Sequence, residues 1–142
     1  MTRTPWHLWL VGILSLLWNA GGAWNYVATK LRIESVVGQM TPEQLAFFDA
    51  TPAWATTTWA IAVWGAVIGS ILLLMRRSLA VVVLQVSFFS MLLTAVQNFI
   101  IADVTMSDIM GPAAAVFSLV IVVFALLVIW YAMQQRKNRV LR

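Results

Sequence analysis

The stretch "ILLLMRRSLAVVV", residues 71–83, places two arginines and a serine between two long apolar runs. The preceding run reaches back to residue 53, and the following run reaches forward to residue 102. Either run is long enough to cross a hydrocarbon core of about 30 Å, which takes about 20 helical residues. The stretch therefore predicts a helical hairpin through a membrane, with its turn at Arg76 and Arg77.

Two further apolar runs, 6–28 and 112–133, flank this hairpin. The chain of 142 residues is 62% hydrophobic and 10% charged, whereas soluble domains carry about 25% charged residues. The polar end of the first run favours a retained helix over a cleaved leader. We expect an all-α integral membrane protein of a single domain. The expected architecture is a four-transmembrane-helix bundle with spans at about 6–28, 53–75, 79–102 and 112–133.

The nine Lys and Arg residues divide unequally between the two ends of this bundle. Lys30 and Arg32 lie in the first loop. The other seven lie at the N-terminus, in the hairpin turn and in the tail: Arg3, Arg76, Arg77, Arg136, Lys137, Arg139 and Arg142. Because basic residues accumulate on the cytoplasmic side, both termini are predicted to be cytoplasmic. The tail can also attract anionic membrane lipids, and it lacks the folded basic face of a nucleic-acid-binding protein.

The longest predicted connection, 29–52, carries helix signals of its own. The first span is expected to continue as a helix to Gly38, a residue type that commonly ends helices. Thr41, Pro42 and Gln44 then form the pattern of a helix N-terminus with a capping box. These signals predict a short helical hairpin in the first outer loop.

Small residues recur on two of the predicted helices. Gly12 and Gly22 share a stripe of the first helix with Asn19, and Gly65 and Gly69 have small-x-x-x-small spacing on the second. Small side chains let helix backbones approach closely in a membrane, so these four glycines are predicted to pack helices together.

Polar and indole side chains gather in the outer half of the predicted bundle, and they form the candidate site. Its residues are Trp18, Asn19, Asn25, Thr58, Trp64, Gln97 and Asn98. One hypothesis is that the amides hold helices together through hydrogen bonds worth about 0.6–2 kcal/mol each. The other is an outward-facing cavity for a neutral polar solute such as a sugar, whose hydroxyl groups would bond to amides beside stacked rings. We expect Asn25 to hold helices together, and both alternatives stay open for Asn19.

Several function classes lack the residues that they need. No carboxylate, lysine or arginine falls within the four predicted spans, which argues against a proton relay. The single histidine, His7, lies near the cytoplasmic surface, and the chain has no cysteine. Neither a metal-ligand cluster nor a nucleophile–base pair can be identified. We therefore expect no enzymatic activity, no cofactor and no metal site.

Three segments carry a resemblance to a known family: "WHLWLVGILSLLWNAGGAWNYVATK" (6–30), "MTPEQLAFFDATPAW" (40–54) and "WAIAVWGAVIGSILLLMRR" (59–77). The chain resembles, over nearly its full length, a family of small four-helix inner-membrane proteins of proteobacteria. Members of that family often carry the label of sugar transporter. The resemblance implies a location in a bacterial inner membrane and transport of a sugar-like solute, and it assigns no role to any residue.

These observations lead to two functional hypotheses. The first is transport of a neutral polar, sugar-like solute without proton coupling. Four helices are few for a pathway, so this hypothesis implies a homo-oligomer. The second is a non-catalytic accessory or assembly subunit that docks on a larger membrane complex through its small-residue stripes. The expected partners are membrane lipids, further protein chains and a small neutral solute, without nucleic acid.

Overall fold

The computed structural model describes residues 3–142, which form seven α-helices and no strand. The helices are α1 (Trp6–Lys30), α2 (Glu34–Val37), α3 (Pro42–Asp49), α4 (Ala53–Leu74), α5 (Leu79–Val96), α6 (Met106–Met110) and α7 (Pro112–Lys137). A π-helical turn, Gln97–Ile101, extends α5. The predicted all-α class and the long helical hairpin formed by α4 and α5 are confirmed.

Three helical segments are long and apolar enough to cross a membrane, which indicates a multi-pass membrane protein. They are Ala53–Leu74, Leu79–Ile101 and Pro112–Lys137. With 25 residues, α1 is as long as these segments, but it is not one of the three by composition. Its tryptophan, glycine and asparagine residues lower its mean hydropathy.

The four long helices are arranged in the order α1, α4, α5, α7. Along its length α4 packs against both α1 and α5, and α5 packs in turn against α7. The outermost members, α1 and α7, have few backbone contacts with each other. The start of α1, the turn at Arg76 and the C-terminus lie together at what we call the terminal end. The opposite end carries α2, α3 and α6, and we call it the loop end.

The terminal end contains the apolar core of the bundle. Leu8, Leu73 and Val81 are completely buried there. Val140 and Leu141 join this core from the C-terminal tail. Backbone hydrogen bonds fix the tail against the hairpin turn: the Arg142 N–H donates to the Arg76 carbonyl (2.8 Å), and the Ser78 N–H donates to the Arg142 carbonyl (2.7 Å). The tail thus closes the terminal end.

The first helix ends earlier than the sequence suggested. It stops at Lys30 rather than at Gly38, because Arg32 adopts a left-handed conformation with φ 51°. The Ile33 N–H donates to the Ala28 carbonyl (2.8 Å) and the Arg32 N–H to the Thr29 carbonyl (3.3 Å), which is the Schellman pattern. The expected continuation to Gly38 is therefore wrong, and that glycine follows the short helix α2 instead.

Capping boxes begin two of the short helices at the loop end. The Gln44 N–H donates to Thr41 Oγ1 (3.2 Å), and the Thr41 N–H donates to Gln44 Oε1 (3.1 Å), which confirms the predicted start of α3. An equivalent box between Thr105 and Asp108 begins α6, which the sequence analysis did not predict.

Candidate functional site

A cavity of about 680 Å³ lies between the four long helices. Its residues on α5 and on the π-helical turn that follows extend from Leu84 to Phe99, which corresponds to about 22 Å at 1.5 Å per residue. Ligand-binding cavities in proteins commonly measure about 300–1,000 Å³. The cavity is therefore large enough for a small organic molecule.

Aromatic rings cover the cavity at the loop end. Phe48 of α3 stacks on Trp59 of α4 with ring centroids 5.7 Å apart and an interplanar angle of 21°. Tyr26 of α1 meets Trp59 edge-on at 4.9 Å, and Lys30 Nζ lies 5.8 Å from the centre of the Trp59 ring. Phe48 and Trp59 both line the cavity, together with Met106 of α6. These rings and the two short helices form a roof.

The cavity lining changes in character along the bundle. Toward the terminal end it consists mainly of apolar side chains, including those of Leu84, Val128 and Ile129. The side chains of Asn25 and Asn98 lie near the loop end. No lining side chain among residues 3–142 carries a charge. The cavity thus offers hydrogen bonds near the loop end and apolar surface toward the terminal end.

Two of the lining hydroxyl groups are used within the bundle. The Ser87 hydroxyl donates to the Ala62 carbonyl, which joins α5 to α4. The Thr94 hydroxyl donates to the Ser90 carbonyl (3.0 Å) and lies 2.8 Å from Thr58 Oγ1 on α4. These groups hold α4 against α5 and leave few hydrogen bonds for a ligand.

Asn19 also belongs to a hydrogen-bond network between helices. The Ser70 hydroxyl uses its single proton to donate to the Ala66 carbonyl (2.8 Å). The buried Ser15 hydroxyl therefore donates to Ser70 Oγ, at 2.8 Å. Asn19 Nδ2 lies 3.2 Å from Ser15 Oγ, 3.1 Å from Ser70 Oγ and 3.4 Å from the Ala66 carbonyl oxygen. Its two amide protons can serve two of these acceptors at a time. Asn19 therefore joins α1 to α4 although it also lines the cavity.

Among the amide and hydroxyl side chains of the lining, three have no hydrogen-bond partner within residues 3–142: those of Asn25, Asn98 and Ser118. They lie on α1, on the π-helical turn after α5, and on α7, each within about 10 Å of the loop end at 1.5 Å per residue. Asn25 was expected to hold helices together, and it makes no hydrogen bond that would do so. These three groups can bond a ligand without breaking an existing contact.

The structure brings four of the seven predicted site residues to the cavity: Trp18, Asn19, Asn25 and Asn98. Thr58 is not a lining residue but contacts Thr94, which is, and Trp64 is 44% exposed on another face of α4. Gln97 is buried at 8% exposure, does not line the cavity, and has no partner for its Oε1 atom. Whether any of the seven binds a ligand stays a prediction.

Trp59, Phe48 and Ser118 line the cavity but were not among the predicted site residues. A helical period places Trp59 on one face with Ala55 and Ala62, so this face of α4 could have been identified from spacing. The position of Phe48 depends on how α3 folds back over the bundle. No local sequence pattern encodes that contact.

Three of the four predicted packing glycines lie against a neighbouring helix. A Cβ added at Gly65 would lie 3.0 Å from Ser87 Cβ, and one at Gly69 would lie 2.5 Å from Leu84 Cδ2, both on α5. A Cβ at Gly12 would collide with the side chain of Leu74 on α4. Gly22 differs, because it is exposed and lines the cavity.

Comparison of the chain with protein-family models, curated proteins and solved structures finds no match.

Proposed function

We propose that this chain is a bacterial inner-membrane protein that binds a neutral solute in its cavity and passes it through the membrane. In this proposal α1 is a fourth span, both termini are cytoplasmic, and the terminal end faces the cytoplasm. The packing of α1 along α4 and its length of 25 residues support a fourth span. The concentration of basic residues at the terminal end supports the orientation.

The observation that carries the proposal is the set of unpartnered polar groups in an uncharged cavity. Asn25, Asn98 and Ser118 come from three different helices and lie at a similar depth. Asn25 is exposed, and Asn98 and Ser118 are half-buried, so their polar atoms are open to a solute and are not used to hold the helices together. Their amide and hydroxyl groups suit a ligand that both donates and accepts hydrogen bonds.

The composition of the cavity also argues for a neutral solute. A buried ionic ligand needs a counter-charge, and the lining side chains within residues 3–142 supply none. Coupling to protons generally uses a buried ionisable group, which the lining also lacks. The proposed transport is therefore facilitated diffusion, driven by the solute's own gradient.

The accessory-subunit hypothesis relied on small-residue stripes as docking surfaces. Gly12, Gly65 and Gly69 face helices of the same chain. These glycines are therefore occupied by packing within the bundle, so they do not supply a surface for a larger complex.

The test is solute exchange by the full chain in proteoliposomes. Vesicles would be loaded with unlabelled neutral polyols, sugars and their monoacyl derivatives, and entry of the labelled compound would be followed. We expect saturable exchange of at least one neutral compound, no exchange of charged analogues, and no dependence on a pH gradient.

A matched pair of variants connects this exchange to the cavity. Asn98→Leu should lower the exchange, because it removes an unpartnered lining amide. Gln85→Leu removes an exposed amide of α5 outside the lining and should leave the exchange unchanged. Exchange equal to that of protein-free vesicles for every neutral compound, or an equal loss in both variants, would contradict the proposal.

A further inference from the structure

The mouth of the cavity can be located from lining residues that are also exposed. All of them lie on the two outermost helices: Leu17, Trp18, Gly21, Gly22 and Asn25 on α1, and Phe117 on α7. Every described lining residue of α3, α4, α5 and α6 is buried or half-buried. The cavity therefore opens sideways through the seam between α1 and α7, and the roof closes it toward the loop end.

Aromatic contacts close the part of this seam that lies nearer the terminal end. His7 Nδ1 and the Tyr131 hydroxyl oxygen lie 2.5 Å apart near the terminal end. Halfway along α1, the ring of Trp18 lies 5.3 Å from that of Phe124 and 6.3 Å from that of Phe117. Trp18 lines the cavity and is 40% exposed, so one side chain contacts both the cavity and the surroundings of the bundle.

Two glycines leave the seam open beyond Trp18. A Cβ added at Gly21 would meet nothing within 4 Å, and one at Gly22 would meet only Val63 Cγ1, at 3.8 Å. Neither glycine has a positive φ, and a Cβ would fit at either position without a close contact, so backbone geometry and close packing do not explain them. Because these two positions carry no side chain, the mouth of the cavity stays open.

We propose that the ligand is a neutral amphiphile, an uncharged polyol or alcohol head on an apolar chain, which enters from the hydrocarbon through the seam between α1 and α7. This inference rests on the proposed function, because the seam faces hydrocarbon when α1 is a membrane span. The head lies beside Asn25, Asn98 and Ser118. The apolar chain of the amphiphile extends toward Leu84, Val128 and Ile129.

The division of the lining favours an amphiphile over other neutral solutes. A free sugar carries hydroxyl groups all around its ring, and those in the apolar part of the cavity would be left without partners. A purely apolar molecule would leave Asn25 and Asn98 unpaired. An amphiphile satisfies both parts, and a molecule dissolved in the membrane reaches a lateral mouth without crossing water.

The experiment is photolabelling of the full chain in phosphatidylcholine nanodiscs. The probe is a monooleoylglycerol with a diazirine in its acyl chain, and adducts are located by mass spectrometry of the digested protein. We expect saturable adducts on the cavity residues Met91 and Ile121. Unlabelled monooleoylglycerol should compete for these adducts, whereas glycerol and the charged oleate should not.

Two tryptophan substitutions on α1 test the route. Gly22→Trp places a ring in the mouth and should reduce the Met91 and Ile121 adducts to background. Ala20→Trp adds the same ring to an exposed position outside the lining and should leave them unchanged. Asn98→Leu tests the head contact without blocking the mouth. It should lower the preference for monooleoylglycerol over methyl oleate by about tenfold, the equivalent of about one hydrogen bond.

Each other outcome overturns the inference. Adducts confined to exposed positions such as Phe89 and Leu127, or equal labelling in the Gly22→Trp and Ala20→Trp proteins, would mean that the probe does not enter through the seam. An unaltered preference for monooleoylglycerol over methyl oleate in Asn98→Leu would show that Asn98 does not contact the polar head of the ligand. This result does not depend on whether Gly22→Trp folds. Cross-links that join α1 and α7 of two chains would mean that a second copy covers the seam. If proteoliposomes exchange a free polyol while the probe fails to label, the inference fails and the proposed function stands. If neither occurs, both fail.

Discussion

The two halves of this bundle differ in how they use their asparagine side chains. In the terminal half, Ser15, Asn19 and Ser70 bond one another between α1 and α4, above a core that includes the completely buried Leu73. In the loop half, the polar side chains of Asn25, Asn98 and Ser118 surround a cavity without bonding one another. Asn19 therefore holds helices together, as the Thr58–Thr94 pair does nearer the loop end, whereas Asn25, Asn98 and Ser118 keep the hydrogen-bonding capacity that a ligand would use.

This difference also concerns how each half is stabilised. In the terminal half, which is the half of the bundle nearer the terminal end, buried side chains from several helices pack together and stabilise the structure. The short helices of the loop half rely on local capping boxes and on an exposed ion pair between Arg32 and Asp49 (2.6 Å), a type of contact worth about 0–1 kcal/mol. Regions that bind ligands are commonly the less stable parts of a structure. The loop half fits that pattern.

The largest expected effect is in the core of the terminal half. Leu73→Ala should lower the free energy of unfolding by about 2–4 kcal/mol, because a completely buried side chain leaves a cavity. Leu127→Ala, at a position 58% exposed, is the control and should cost far less. Unfolding in mixed micelles followed by circular dichroism measures both. Equal losses would mean that the terminal half is not the packed half.

The two asparagines of α1 give an intermediate effect and separate the halves directly. Asn19→Leu should cost about 1–2 kcal/mol of stability, because it removes the donor to Ser15 and Ser70. Asn25→Leu should leave stability nearly unchanged and reduce the proposed exchange of solute in proteoliposomes. The same denaturation and exchange assays measure both variants. If Asn25→Leu were the more destabilising variant, the distinction between the two asparagines would be wrong.

The smallest effect concerns pH and the cap of α6. The side-chain hydroxyl and the backbone N–H of Thr105 donate to the Asp108 carboxylate, and they hold its pKa below the ordinary value of 3.8. Because the folded pKa is lowered, this stabilisation is complete above pH 3.8 and is lost as the pH falls through the lower folded value. We expect α6 to fray in that acidic range.

Nuclear magnetic resonance of the Thr105 amide, followed during acidification, detects this fraying. Asp108→Asn should remove its dependence on pH. An amide signal that stays constant through the acidic range in the unaltered protein would show that the cap does not hold α6.

The long helices could be predicted from the sequence because apolar runs of about 20 residues have few alternatives to a membrane helix. The start of α3 was equally accessible, since the capping box at Thr41 and Gln44 is a local pattern. The end of α1 was not, because an arginine occupies the left-handed position that glycine usually takes. Arg76 and Arg139 occupy the same position after α4 and α7, with φ of 60° and 58°. In this chain the glycine signal therefore does not mark the ends of the long helices.

The candidate site was accessible only in part, for a different physical reason. Composition and helical spacing directed attention to Trp18, Asn19, Asn25 and Asn98. Which of two neighbouring asparagines bonds another helix depends on the rotation of α1 against α4, and this rotation follows from the contacts of whole helices. Burial of Val140 and Leu141 likewise depends on how the tail returns to the hairpin turn. Neither feature is encoded in a local pattern.

The central claim is that the cavity opens to the hydrocarbon between α1 and α7, and spin-label accessibility tests it most directly. The chain contains no cysteine, so Asn98→Cys provides a single labelling position within the cavity. Val81→Cys provides a reference position in the packed core. In lipid vesicles, the label at residue 98 should collide often with oxygen, which concentrates in hydrocarbon, and rarely with a water-soluble nickel complex. The label at residue 81 should collide rarely with both. Frequent collisions with the nickel complex at residue 98 would mean that the cavity opens to water at the loop end, and the account would be wrong.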